Sequence, residues 1–170
     1  IYSVPNVGTA LLTHLWASVQ ALQDSNLDLG VVCLPKPGEE VSGDAWASDQ
    51  RDGRSLFLVA DGLGHGPLAA QASLEAVRIF RENVLLSPRE IVEAAHAALG
   101  RTRGAAVGVA EVDFERQAVR FCGVGNIAGT ILSPEGSHCM VSHNGIVGHE
   151  VRKIQEFVYQ WPKGGLLVMY

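Results

Sequence analysis

The chain has 170 residues, 47% apolar and 18% charged, with a formal net charge of −5 and six histidines. That length supports one substantial hydrophobic core rather than two domains, and the acidic balance leaves no basic patch for nucleic acid or an anionic membrane surface. No apolar run approaches the roughly 20 residues of a membrane-spanning helix, and no basic-then-apolar leader opens the chain, so a soluble, cytoplasmic protein is expected.

In chain order, residues 9–23 place Leu11, Leu12, Leu15, Val19 and Leu22 on one helical stripe, which Trp16 extends. This predicts an N-terminal helix or linker segment over 1–26, ahead of a single domain over 27–170. Residues 29–34 read as a first strand closed by Pro35-Lys36-Pro37-Gly38. A hairpin follows: a strand over 45–49, a turn at Gln50-Arg51-Asp52-Gly53 and a return strand to Ala60. Pro67 opens a helix running to about residue 84 with Ala70, Leu74, Val77 and Phe80 facing inward. Ser87, followed by Pro88 and Glu90, is an N-cap for a second helix ending near Gly100. Beyond Gly104 the pattern turns to strands over 105–113, 118–124, 129–132, 139–142, 155–161 and 166–170, separated by turns such as Pro134-Glu135-Gly136 and Pro162-Lys163-Gly164-Gly165. Hairpin-linked strands around two adjacent helices predict an α+β layered domain. Cys33, Cys122 and Cys139 are odd in number and lack CxxC spacing, so neither a disulfide framework nor a zinc site is indicated. All three are expected to be buried thiols.

The chemistry concentrates in two acidic stretches, Gly43-Asp44-Ala45-Trp46 and Val59-Ala60-Asp61-Gly62-Leu63-Gly64-His65-Gly66. Asp61 falls where an apolar strand gives way to a glycine-rich turn, a place where a carboxylate and a neighbouring backbone carbonyl can reach the same hard cation. On chemistry alone, two ordinary turn aspartates remain the alternative.

These stretches, with the helix-like Pro67-Leu68-Ala69-Ala70-Gln71-Ala72 after them, resemble the metal-dependent serine/threonine phosphatases of the PPM (PP2C) family, in particular its bacterial SpoIIE and RsbX-like branch. Three more segments match in order: Thr102-Arg103-Gly104-Ala105-Ala106, Gly123-Val124-Gly125-Asn126-Ile127 and Ser142-His143-Asn144-Gly145-Ile146-Val147-Gly148. The resemblance implies a four-layer α-β-β-α sandwich of two antiparallel sheets flanked by helices. It also implies Mn²⁺ or Mg²⁺ at a two-metal site, with Asp61 as the shared ligand, Gly62 as a carbonyl ligand and Asp44 as a ligand or an acceptor for metal-bound water.

The expected reaction is hydrolysis of phosphoserine or phosphothreonine on a bacterial regulatory protein of the sigma-factor or stressosome partner-switching type, opposing a serine kinase. Family members continue past the strand matching 166–170 into a Ser/Thr-Asp-Gly segment and a later aspartate. Neither lies within these 170 residues, so the chain is read as a domain truncated at its C-terminal end, and a non-catalytic binding module is the alternative. Arg103 is a candidate for bidentate phosphate binding, or else a surface arginine beside a helix end. His65 either touches substrate as a proton donor or shapes its turn, and Asn126 either serves the site or a strand bend. His143 and His149, six apart on a loop, form no ligand pattern; His14, His96 and His138 read as ordinary surface or core residues.

Overall fold

The computed structural model describes residues 2–4, 8–10, 27–51 and 53–170. It separates into a unit ending at Val32 and a larger one from Cys33 to Tyr170. In the first unit, β1 (Tyr2–Val4) pairs antiparallel with β2 (Gly8–Ala10). Thr9 and Ala10, expected to begin the helix over 9–23, are therefore strand, and the rest of that helix lies outside the described residues. Residues 29–34 form no strand, and Leu29, Val31, Val32 and Leu34 are exposed. An apolar run becomes a strand only beside a partner edge, and this run meets none among the described residues.

The second unit is built on a sheet ordered β10-β6-β5-β4-β3, with β9 beside β6. Its strands are β3 (Asp44–Arg51), β4 (Arg54–Gly62), β5 (Ala105–Asp113), β6 (Ala118–Val124), β9 (Ser142–His143) and β10 (Phe157–Gln160). The pairs β3–β4, β4–β5, β5–β6 and β6–β10 are antiparallel, whereas β9 runs parallel to β6. A smaller antiparallel sheet is ordered β11-β7-β8, from β7 (Gly129–Ser133), β8 (Gly136–Met140) and β11 (Leu166–Met169). The strand expected over 139–142 is thus split: its first part closes the β7–β8 hairpin and its last residue joins the larger sheet.

Helices α1 (Pro67–Glu82) and α2 (Pro88–Ala98) pack on one face of the larger sheet. Leu56, Leu58 and Ala60 of β4 and Ala105, Val107 and Val109 of β5 alternate onto that face, burying a core with Val77, Phe80, Ile91, Val92 and Ala95. The smaller sheet covers the opposite face, where a Cβ at Gly108 of β5 would stand 2.6 Å from Ile127 and 3.4 Å from Met169 of β11. Two sheets with helices outside follow the expected sandwich, three of whose layers are formed by the described residues. None of their helices is long and apolar enough to cross a membrane.

Two expectations about burial need correction. Leu74 is 60% exposed, because the buried stripe of α1 runs through Ala69, Ser73, Ala76 and Phe80, and one residue past Ser73 is a turn of about 100° away from it. Only Cys122 is a buried thiol. Cys33 lies in the exposed stretch before β3, and Cys139 lies on β8 with its outer neighbours exposed. The second helix starts as expected: Ser87 accepts from the Glu90 N–H, and the Glu90 carboxylate accepts from the Ser87 N–H at 2.8 Å.

At the sheet end remote from the acidic motifs, Glu111 is only 3% exposed and is held from both sides. Arg54 donates to it at 2.7 Å while also donating to the carbonyls of Val84 and Leu86 after α1. Arg120 bridges Glu111 and Glu156, so the network ties β4, β5 and β6 to the α1–α2 connection.

Candidate active site

Asp44 opens β3 and Asp61 stands one residue from the end of β4, and the register of this antiparallel pair sets them directly opposite each other. Alternation fixes their common face: Ala45 and Ala60 point to the helices, so the aspartates point away from them. The approach is secured by backbone, with the Gly62 N–H donating to the Gly43 carbonyl at 3.1 Å and the Asp44 N–H to Ser42 Oγ at 3.1 Å. Gly62 is a glycine of necessity, since a Cβ there would lie 2.0 Å from the Ala69 carbonyl oxygen of α1.

The pair is electrostatically frustrated. Burial, then the charge of Asp61, then a hydrogen bond to Asp61 raise the Asp44 pKa above the ordinary aspartate range. A carboxylate whose pKa is raised by a second carboxylate opposite it is donor chemistry that a hard divalent cation relieves, and the Gly62 backbone follows Asp61 directly. No group of three or more His, Cys, Asp or Glu side chains forms a metal cluster among the described residues. The two opposed carboxylates nonetheless have the oxygen-donor chemistry that a hard cation takes.

The turn after Gly62 is gripped from two directions. The Leu63 N–H donates to the Gly104 carbonyl at 3.0 Å, which brings the Thr102-Arg103-Gly104 segment alongside, and Arg103 Nη1 lies 3.0 Å from where a Cβ of Gly64 would stand. Arg103 is exposed, so its guanidinium faces solvent over the glycine turn. On the other side, His65 Nδ1 contacts Glu39 Oε1 at 2.5 Å, and a Cβ on Gly66 would meet Glu39 Oε2 at 2.7 Å. Glu39 thereby sets a carboxylate at the N-terminus of α1, whose first turn has no acidic residue and no side-chain cap. The sequence reading missed Glu39, which lies 26 residues from His65 in a Pro- and Gly-rich loop and gives no local sign of the contact.

Asn126 follows Gly125, whose positive φ of 92° and close approach to Ala106 (2.5 Å from a Cβ to Ala106 Cβ) suit glycine. Ala106 is the β5 residue opposite Asp61, so the Gly125-Asn126 turn sits on the strand beyond it. At about 4.8 Å per strand, Asn126 is roughly 10 Å from Asp61, two strands away, and roughly 14 Å from Asp44, three strands away. The structure thus sets Asp44, Asp61 and Gly62 together, with Arg103 and His65 against the adjoining turn and Asn126 farther along the sheet.

The fold is that of the PP2C phosphatases. It superposes on the PP2C phosphatase domain of SpoIIE from Bacillus subtilis with a TM-score of 0.70, at 19% identity over 80% of this chain and 43% of that one. It superposes more closely on RsbX crystallised with magnesium, with a TM-score of 0.76 and 26% identity over 81% of this chain and 70% of that one. A protein solved in work on the bacterial stressosome as a modular system controlling secondary messenger signalling matches with a TM-score of 0.77 and 28% identity, over 81% and 72%. With paired aspartates on this fold, the chain is a metal-dependent protein serine/threonine phosphatase of PP2C type.

The family model for Stage II sporulation protein E (SpoIIE) matches residues 51–170, and the chain belongs to the SpoIIE family. In sequence it is 27% identical to the phosphoserine phosphatase RsbX of Bacillus subtilis (strain 168), over 89% of this chain and 77% of that protein.

Proposed function

We propose that the chain removes phosphate from phosphoserine or phosphothreonine on a bacterial regulatory protein of the partner-switching type, in the cytoplasm and in opposition to a serine kinase. The observation that carries this reading is the Asp44–Asp61 pair, two carboxylates placed opposite each other with the Asp44 pKa raised, next to Gly62 and to the Gly64 turn that Arg103 approaches. Its similarity to a phosphoserine phosphatase and to a stressosome-associated protein supports the substrate class.

Asp44, Asp61 and the Gly62 carbonyl would hold Mg²⁺ or Mn²⁺. Bound there, the metal supplies an activated water near neutral pH and neutralises phosphoryl charge. Arg103 offers two parallel N–H groups to phosphate oxygens from a backbone segment already fixed to the catalytic turn. Such prior positioning lowers the entropy lost when the phosphate is aligned. His65, tied to Glu39, holds the Leu63–Gly66 turn in place, and Asn126 borders the face on which the substrate rests.

The test is phosphate release from a phosphoserine protein by the full-length protein, with and without Mn²⁺, and with Asp61→Asn as control. Release that requires both the metal and Asp61 is expected. A folded wild-type protein that binds the phosphoprotein and never turns it over would replace this reading with that of a binding module.

A further inference from the structure

The loop between β9 and β10 reaches back to the segment that carries Arg103, and two histidines hold it there. Residues 146–150 close a tight turn through Ile146 N–H to the Glu150 carbonyl (2.7 Å) and His149 N–H to the Ile146 carbonyl (3.0 Å). Val147 bridges Ala105 in both directions, at 2.8 and 3.1 Å. On the helix side, the Gly148 N–H donates to His96 Nδ1 at 3.0 Å, so that nitrogen serves as an acceptor. On the site side, His149 Nε2 donates to the Thr102 carbonyl at 2.9 Å. Gly104 has φ of 79°, and a Cβ there would meet Ile146 at 2.6 Å and His149 Cδ2 at 2.7 Å, so the imidazole lies against the Gly104 backbone. Nothing in the catalytic geometry above uses either histidine.

We propose that His149 is a positioning residue for the substrate phosphate, holding Thr102 and Gly104 so that the Arg103 between them stays over the Gly64 turn. The inference rests on the reading of Arg103 as the phosphate-binding cation. Thr102 already folds locally, its hydroxyl accepting from the Gly104 N–H at 3.0 Å and donating to the Leu99 carbonyl at 2.8 Å. That local turn sets the shape of the segment. The Leu63–Gly104 bond, the His149–Thr102 bond and the Ala105–Val147 pair tie it to two other parts of the chain and fix where it lies. Without His149 the Arg103 segment keeps its turn, its Leu63–Gly104 bond and the Ala105–Val147 pair but loses its anchor at Thr102, so more of the guanidinium's order must be gained at the moment of binding.

The experiment compares Arg103→Ala, His149→Ala, His149→Gln and the Arg103→Ala/His149→Ala pair in the full-length protein. It measures KM and kcat for a phosphoserine peptide, and Kd for inorganic phosphate. A charge-assisted hydrogen bond to phosphate predicts that Arg103→Ala raises both KM and Kd about thirtyfold. One neutral anchoring bond predicts that His149→Ala raises them about fivefold with kcat nearly unchanged. His149→Gln, which returns an N–H donor, restores most of the loss.

The double variant is expected to match Arg103→Ala alone, because His149 acts through Arg103. Additive losses, or an unchanged phosphate Kd in His149→Ala, overturn the role of His149. A wild-type Kd in Arg103→Ala overturns the reading of Arg103 beneath it. Should His149→Ala fail to fold, His149→Leu keeps bulk against Gly104, deletes the donor and is held to the same outcomes.

Discussion

Replacing Asp44 with asparagine keeps the shape of the side chain and removes one charge from a pair that sits face to face across β3 and β4. Directly opposed residues have Cβ atoms about 4.5–5.5 Å apart, and two unit charges about 5 Å apart repel by about 0.8 kcal/mol in water and about 1.7 kcal/mol at half that dielectric. For a domain of this size each kcal/mol is worth about 2–4 °C, so the metal-free Asp44→Asn protein should melt about 2–6 °C above the wild type. Metal reverses the order: a cation at about 100 times its Kd stabilises the wild type by about 2.7 kcal/mol, and the variant has lost a ligand.

The pH dependence has a definite direction. Asp44 has a raised pKa in the folded protein, so the folded state holds that proton more tightly than the unfolded chain does. The wild type is therefore free of the penalty at acidic pH and acquires it as pH rises through the folded pKa. The gap between variant and wild type is widest near neutrality and closes toward the ordinary aspartate range. Thermal melts in EDTA and in Mg²⁺, across pH, read all of this. A metal-free variant that melts at or below the wild type at neutral pH, or a gap that ignores pH, would refute the argument.

Gly62→Ala forces a methyl group to within 2.0 Å of the Ala69 carbonyl oxygen, which cannot yield without moving β4 or α1. It should cost about 1–3 kcal/mol in urea unfolding and lower turnover at least about tenfold, and wild-type values for both would contradict the packing. Arg54→Met leaves the buried Glu111 carboxylate with Arg120 alone and strips donors from Val84 and Leu86, so stability should fall by about 2–4 kcal/mol in denaturant titrations. A loss within about 0.5 kcal/mol would show the network to be incidental. Native protein should expose two of its three thiols to a disulfide reagent, Cys33 and Cys139, while burial pushes the Cys122 thiol up to about 12 and keeps it unreactive. Three reactive thiols in the folded protein would place Cys122 wrongly.

Much of the domain was legible from short-range pattern. The apolar run of residues 55–60 and the turn at residues 50–53 mark a hairpin, and the structure supplies the register that sets Asp44 against Asp61. Pro67 and the Ser87–Glu90 capping box mark the starts of both helices, because the unpaired N–H groups of a first turn impose the same chemistry in any fold. The acidic motifs point to a cation site only through the resemblance carried by the ordered matching segments, since a carboxylate beside a glycine is also ordinary turn chemistry.

Tertiary structure decided the rest. Whether residues 29–34 form a strand depends on a partner edge, and whether Leu74, Cys33 and Cys139 are buried depends on what lies over them. Contacts around the candidate site join residues far apart in sequence, Glu39 to His65 and His149 to Thr102. Local periodicity reports the face on which a residue lies. The neighbour it meets is chosen when sheets and loops pack, by burial and hydrogen bonding summed over the whole domain.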